Sequence, residues 1–158
     1  MKYDDASWHY GGDFPADLSL EAGATHIAMF VVWCWLNDMG GDLIRAELPE
    51  VLQTARDRSK SPAALFIQAS DEKFTDEDLN AEGNAFAQSY YGLKGNYVTS
   101  KEGYVTDYGK VFPSVASLYH APDTWEAYDR LAPVIHRRYS AWKNRPQSWL
   151  SKFWPRKN

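Results

Sequence analysis

The segment Thr25-His-Ile-Ala-Met-Phe-Val-Val-Trp-Cys-Trp-Leu-Asn-Asp38 decides the fold. Its middle is apolar almost all round. An amphipathic surface helix would alternate faces, so this pattern marks a central, buried helix. Thr25 is placed to cap its start, and Gly40-Gly41 supplies a stop. A buried strand over Ile27 to Leu36 is the competitor, because Val31, Val32, Trp33 and Trp35 suit strands. The caps favour the helix. The run is also too short to span a bilayer, which takes about 20 residues.

Downstream, Leu43, Ile44, Leu48, Val51, Leu52 and Ala55 recur at helical steps, giving a second helix over Asp42 to Ser59 that Pro49 divides or bends. Ser61-Pro62 reads as an N-cap followed by proline at the first helical position, so a short helix over Ala63 to Ala69 follows. Thr75-Asp-Glu-Asp78 has the form of a capping box. It predicts a helix from Asp76 to about Tyr91, with Leu79, Gly83, Phe86, Ala87 and Tyr90 on its inner face. Tyr97-Val-Thr99 and Tyr104-Val-Thr106 are β-prone triplets joined by Ser-Lys-Glu-Gly, and they predict a small hairpin. Asp123 or Thr124 caps a last long helix, Trp125 to Lys143. Pro133 should kink it and Pro146 should close it, with one further amphipathic stretch over Gln147 to Trp154. Upstream, Met1 to Gly23 reads as an irregular, docked segment, since Gly11-Gly12 and Pro15 prevent a helix. The expected fold is mainly α: a compact single-domain helical fold over residues 1–158, with a minor β-hairpin near 96–108.

Composition agrees with one soluble domain. The chain has 158 residues, 44% hydrophobic and 24% charged. Aromatic residues reach 15%, which points to a core or an interface built on large amphipathic rings. Cys34 is the only cysteine. An internal disulfide and a cysteine-based zinc site are therefore excluded, and its apolar surroundings predict a buried thiol. The start of the chain shows no apolar run of the signal-peptide type, so a cytoplasmic location is expected. Charge is uneven. The net charge is −4, yet the stretch from Val134 to Asn158 has no acids and carries Arg137, Arg138, Lys143, Arg145, Lys152, Arg156 and Lys157. An acidic body with a basic, aromatic tail over 145–158 disfavours nucleic acid as the main ligand and favours partners that themselves bind nucleic acid. The tail's interleaved bases and aromatics suit packing on that body; a membrane-surface role is the alternative.

No residue set announces a catalytic centre, and the chain is expected not to be an enzyme. Ser7 and His9 beside Asp4 and Asp5 only superficially suggest a hydrolytic trio, because no nucleophile-elbow context surrounds Ser7. His9, His26, His120 and His136 contain no pair at metal-binding helical spacing. Only a distant cluster, such as His9 with Asp13 and His120, would assemble one. No metal and no cofactor are expected. Two groups of residues remain as candidate sites. Asp71, Glu72, Asp76, Glu77, Asp78 and Glu82 form an acidic run with Phe74 inside it, suited to a basic protein partner with an apolar anchor. Asp4, Asp5, Trp8, His9, His26 and His120 sit in polar strings that would serve as a ligand pocket if the fold brought them together. The same side chains would otherwise satisfy backbone groups in loops.

Several strings also carry a resemblance. Asp4-Asp-Ala-Ser-Trp-His9 with Gly-Gly-Asp-Phe-Pro15, Ala24-Thr-His-Ile27 with Met29-Phe30, Lys73-Phe-Thr-Asp-Glu-Asp-Leu-Asn80 with Glu82-Gly-Asn-Ala-Phe86, and Ser117-Leu-Tyr-His120 with Asp123-Thr-Trp125 resemble a bacterial protein family. Some of its members resemble immunity proteins encoded beside type VI secretion toxins. The resemblance implies a cytoplasmic protein that neutralises a cognate effector toxin by stoichiometric occlusion. A nuclease effector is the expected target, since its basic groove would accept an acidic, aromatic-rich surface. The basic tail after Arg138 is outside the resemblance.

Overall fold

The computed structural model describes residues 1–11, 13–98 and 101–145. At its centre lies α1 (Thr25–Leu36), in which every residue from Thr25 to Trp35 is buried. The helix expected from the apolar run is therefore present, though Ala24 occupies the cap position and a 3-10 turn, Leu20–Ala24, leads directly into it. Around α1 pack α2 (Pro49–Asp57), α3 (Pro62–Ser70), α4 (Ala81–Tyr90), α5 (Tyr104–Val111) and α6 (Trp125–Lys143). The fold is mainly α. No helix among the described residues is long and apolar enough to cross a membrane.

Local chemistry sets most boundaries. Pro49 does divide the second helical stretch: a π-type turn, Leu43–Glu47, precedes it and α2 begins at the proline. Ser61 caps α3 by accepting from the Ala64 amide, with Pro62 at the first position. Thr124 caps α6 through the Ala127 amide, and the helix continues through Pro133. Two small antiparallel ribbons complete the fold. In the first, β1 (Lys2–Asp5) pairs with β2 (Lys73–Thr75); in the second, β3 (Gly92–Leu93) pairs with β4 (Asn96–Tyr97).

Three segments differ from the sequence expectation. The capping box at Thr75–Asp78 closes only one 3-10 turn. Leu79 then runs extended, buried and bridged to Gly40, and the next residue, Asn80, caps α4. The minor hairpin lies at residues 92–97. Its expected second strand, Tyr104-Val-Thr106, instead opens α5, with Gly103 at the cap. The reason is tertiary: Tyr104 and Tyr108, four residues apart, share a buried helix face, and that burial outweighs their β propensity. Finally, the N-terminal segment begins with a strand, although Asp4 and Asp5 are poor strand formers. The stretch Gln147 to Trp154 falls outside the described residues.

The core is aromatic. Phe30 of α1 meets the rings of Phe74, Phe86, Tyr90, Tyr91 and Tyr104 at centroid distances of 5.1–6.2 Å. Offset and edge contacts at these separations are the favoured geometries for aromatic pairs. Cys34 is buried among them, and burial pushes its thiol well up, away from the reactive thiolate. An ion pair between half-buried Arg138 and buried Asp107 ties α5 to α6. Arg138 donates to both oxygens of Asp107 at 2.7 and 3.0 Å, while the Tyr90 hydroxyl donates at 3.1 Å. Burial alone would raise the Asp107 carboxyl, but the guanidinium outweighs it and holds the group below its ordinary range.

Candidate functional site

Alternation along β1 sends Asp4 inward and Asp5 to the other side. Asp5 takes Lys2 at 2.6 Å, accepts from the Ser7 amide and hydroxyl, and so caps the 3-10 turn Ala6–His9. Ser7 is thus committed to Asp5, and the Ser7–His9 arrangement of a hydrolytic trio does not form. The turn lifts Trp8 outward, where it is 49% exposed with Lys2 over its ring, and carries His9 back over Asp4.

Asp4 is the hub of the site, and its side chain is wholly buried. Its Oδ1 faces His9 Nε2 at 3.1 Å and accepts from the Asp5 amide at 2.8 Å. Its Oδ2 accepts from the Tyr91 hydroxyl at 2.6 Å and the Tyr97 hydroxyl at 2.9 Å, and lies 3.6 Å from His26 Nε2. His26 comes from the first turn of α1 and meets the Tyr97 hydroxyl at 3.0 Å. His9 Nδ1 faces the Tyr119 hydroxyl at 3.1 Å, and the two imidazoles meet edge-on with centroids 4.8 Å apart. Five separate parts of the chain, at residues 4–9, 26, 91, 97 and 119, therefore converge on one point.

Burial would raise the Asp4 carboxyl, yet hydrogen bonds from His26 and His9 hold it far below the usual carboxylate range. Burial pushes His26 down, against the pull of Asp4, and so favours its neutral form. Tyr91, Tyr97 and Tyr119 are all pushed up by burial and by Asp4, and stay protonated. The result is a buried carboxylate. Among the described residues the only groups paired with it in the ionic sense are the two histidines.

Of the six polar residues singled out in the sequence, Asp4, His9 and His26 come together. Asp5 and Trp8 flank them without entering. His120 points elsewhere, to Ser117 Oγ at 2.7 Å and Asp17 at 3.2 Å. Asp13 is exposed. An open cleft of ≈280 Å³ runs beside the site between Glu21, Thr25, Tyr119, His120 and Asp123. The three tyrosines that close the site carried no sequence signal of their own, because each joins it only through tertiary contact.

The acidic run is largely committed to structure. Phe74 is fully buried against Tyr3 at 4.6 Å, so it anchors the core and is not a surface contact. Asp78 is buried as well: it accepts from the Thr75 amide at 2.6 Å and from the Ser70 hydroxyl. Asp76 pairs with the Met1 amino group, Asp71 with Lys73, and Glu82 with Lys143 and Tyr139. Glu72 is half-buried, and Glu77 remains exposed. A second acidic segment joins it. Residues 38–42 are laced to 77–80 by Gly41 N–H to Asp78 O at 3.0 Å, Asn80 N–H to Met39 O at 2.9 Å and Asn80 Nδ2 to Asp38 O at 2.9 Å. The contact leaves no room for a side chain at position 41, where a Cβ would lie 2.2 Å from the Glu77 carbonyl oxygen. Asp38, Asp42 and Glu77 are therefore neighbouring exposed acids on a joined surface, with Arg45 pairing to Asp42 at 3.3 Å.

No curated protein and no solved structure matches this chain. A family model does, over residues 2–121, a span that contains every side chain of the buried Asp4 centre and ends at Ala121, short of α6. By that match the chain belongs to the family described as a domain of unknown function, DUF7832.

Proposed function

We propose that this protein acts by binding and not by turnover, as a cytoplasmic immunity protein that occludes a cognate antibacterial effector, with a nuclease as the target. The observation that carries this reading is the joined acidic surface of Asp38, Asp42 and Glu77. Two segments distant in sequence are joined there by hydrogen bonds, and each carries exposed carboxylates, with Arg45 as the adjoining base. A nuclease groove must be basic to hold phosphates, so such a surface is complementary to it. The family resemblance supports the same setting.

The test starts with a pull-down from lysate of the native bacterium, identified by mass spectrometry. One stoichiometric partner with a basic toxin domain is expected. Replacing Asp38, Asp42 and Glu77 together by lysine should then slow association about tenfold at low salt and change dissociation much less. Association as fast as wild type would remove this surface from the interface. A folded bait that captures no toxin would overturn the immunity reading itself.

A second reading has one specific observation behind it: the cleft between Thr25, Tyr119, His120 and Asp123 adjoins the buried centre. There the protein would be a small-ligand or enzymatic domain. A metabolite that raises the melting temperature of wild type but not of folded His120→Ala would favour it. A screen without such a compound would count against it.

A further inference from the structure

We propose that Asp4, His9 and His26 bind one divalent first-row transition-metal ion, with the Tyr97 hydroxyl at the fourth corner. The inference is independent of the immunity reading, because a metal held here would act on the fold and not on the acidic surface.

The geometry is the first argument. Four donors around an ion at about 2.0–2.1 Å stand about 3.3 Å apart in a tetrahedron. Four donor–donor separations in a set built on Asp4 Oδ2 fall near that value. Asp4 Oδ2 to His26 Nε2 is 3.6 Å, while His9 Nε2 stands 3.1 Å from the other carboxylate oxygen, Oδ1. The Tyr97 hydroxyl lies 2.9 Å from Asp4, 3.0 Å from His26 and 3.4 Å from His9. The Asp4, His9 and His26 donor atoms all lie within 4.8 Å of one another, so a modest swing of the His9 ring closes the set. Both histidines present Nε2 to the same carboxylate, which is the arrangement that two imidazole ligands need.

The second argument is the surrounding shell. Metal-bound histidines usually hold a hydrogen-bond partner on their other nitrogen, and ligating carboxylates are held in turn. His9 Nδ1 has the Tyr119 hydroxyl at 3.1 Å, and Asp4 has the Tyr91 hydroxyl at 2.6 Å, whereas His26 Nδ1 is buried without a hydrogen-bond partner, so the shell is complete for two of the three ligands. The third argument is charge. A carboxylate with no exposed surface is costly without a counter-charge, and no Lys or Arg pairs with it among the described residues. A metal ion would supply that charge; a proton shared with His9 is its rival. Imidazole and oxygen donors without thiolate suit Zn²⁺ and its first-row neighbours, whereas Ca²⁺ and Mg²⁺ prefer all-oxygen shells. The ion would join β1, the turn after it, α1 and β4, and so would be structural in effect.

The experiment uses the full chain and Zn²⁺ as the probe. Protein expressed in zinc-supplemented medium should carry about one equivalent of zinc by elemental analysis. After chelation, re-adding Zn²⁺ to about a hundred times its Kd should raise the melting temperature by about 8 °C. Co²⁺ in its place should give the visible absorption of a four-coordinate N/O site. His9→Ala, whose ring lies at the edge of the site, should stay folded by circular dichroism and lose all three signals; Asp4→Asn serves if it does not fold. His120→Ala, outside the site, should keep them. Folded wild type with no bound zinc, no thermal shift and no cobalt spectrum would overturn the proposal and favour the shared proton. So would signals that vanish with His120→Ala but survive His9→Ala, which mark surface binding only.

Discussion

Replacing Phe30 by alanine is expected to cost about 4 kcal/mol of folding stability, a large share of what a domain of this size holds. Phe30 is completely buried in the middle of α1. Its ring is the meeting point of residues from β2, from α4 and its C-terminal flank, and from α5. Truncation removes contacts to all of them at once. Close-packed rings from several elements cannot collapse into the space together, so the cavity term adds to the lost transfer free energy. Urea denaturation followed by circular dichroism measures the change. A loss under about 1.5 kcal/mol would mean that the rings are not packed as the structure shows.

Asp4→Ala should be nearly as damaging even with a chelator present, at about 3–5 kcal/mol. The alanine leaves the Tyr91 and Tyr97 hydroxyls and the Asp5 amide without their acceptor, with Tyr91 wholly buried. It also frees the inner face of β1, so the ribbon with β2 should fray. Measurement in EDTA isolates this hydrogen-bond role from any metal. If stability falls by less than about 1 kcal/mol, the converging hydroxyls are not a native network.

Much of this fold could be read from local chemistry. The α1 run declared itself because ten residues apolar all round, Ile27 to Leu36, have no other way to be satisfied than burial. Ser61-Pro62, Pro49 and Thr124 acted where they stand, through their own amides, hydroxyls and rings. The failures share a different cause. Tyr104-Val-Thr106 has β propensity, but its conformation is decided by what Tyr104 and Tyr108 bury against, which no window of sequence contains. The capping box at Thr75 is real, yet Leu79 is drawn into an extended bridge with Gly40 and ends the turn. The site divides in the same way. Asp4, His9 and His26 were recognisable as chemistry-bearing residues, but Tyr91, Tyr97 and Tyr119 look like any other tyrosines until the chain is folded. Phe74 and Asp78 misled because an acidic run looks solvated, while these two of its residues are pinned inward by β2 and the Ser70 hydroxyl.

The convergence on Asp4 also dictates an order of events. Residue 4 is answered by residues 91 and 97, and residue 9 by residue 119. Emerging from a ribosome at about 5–20 residues per second, the amino-terminal segment would wait roughly 5–20 s for its last partner. During that interval the apolar helix at 25–36 has only part of its cover. Folding is therefore a late, long-range closure, slow for a helical protein of this length. The nascent chain, and not the finished molecule, is where chaperone demand and aggregation risk should concentrate.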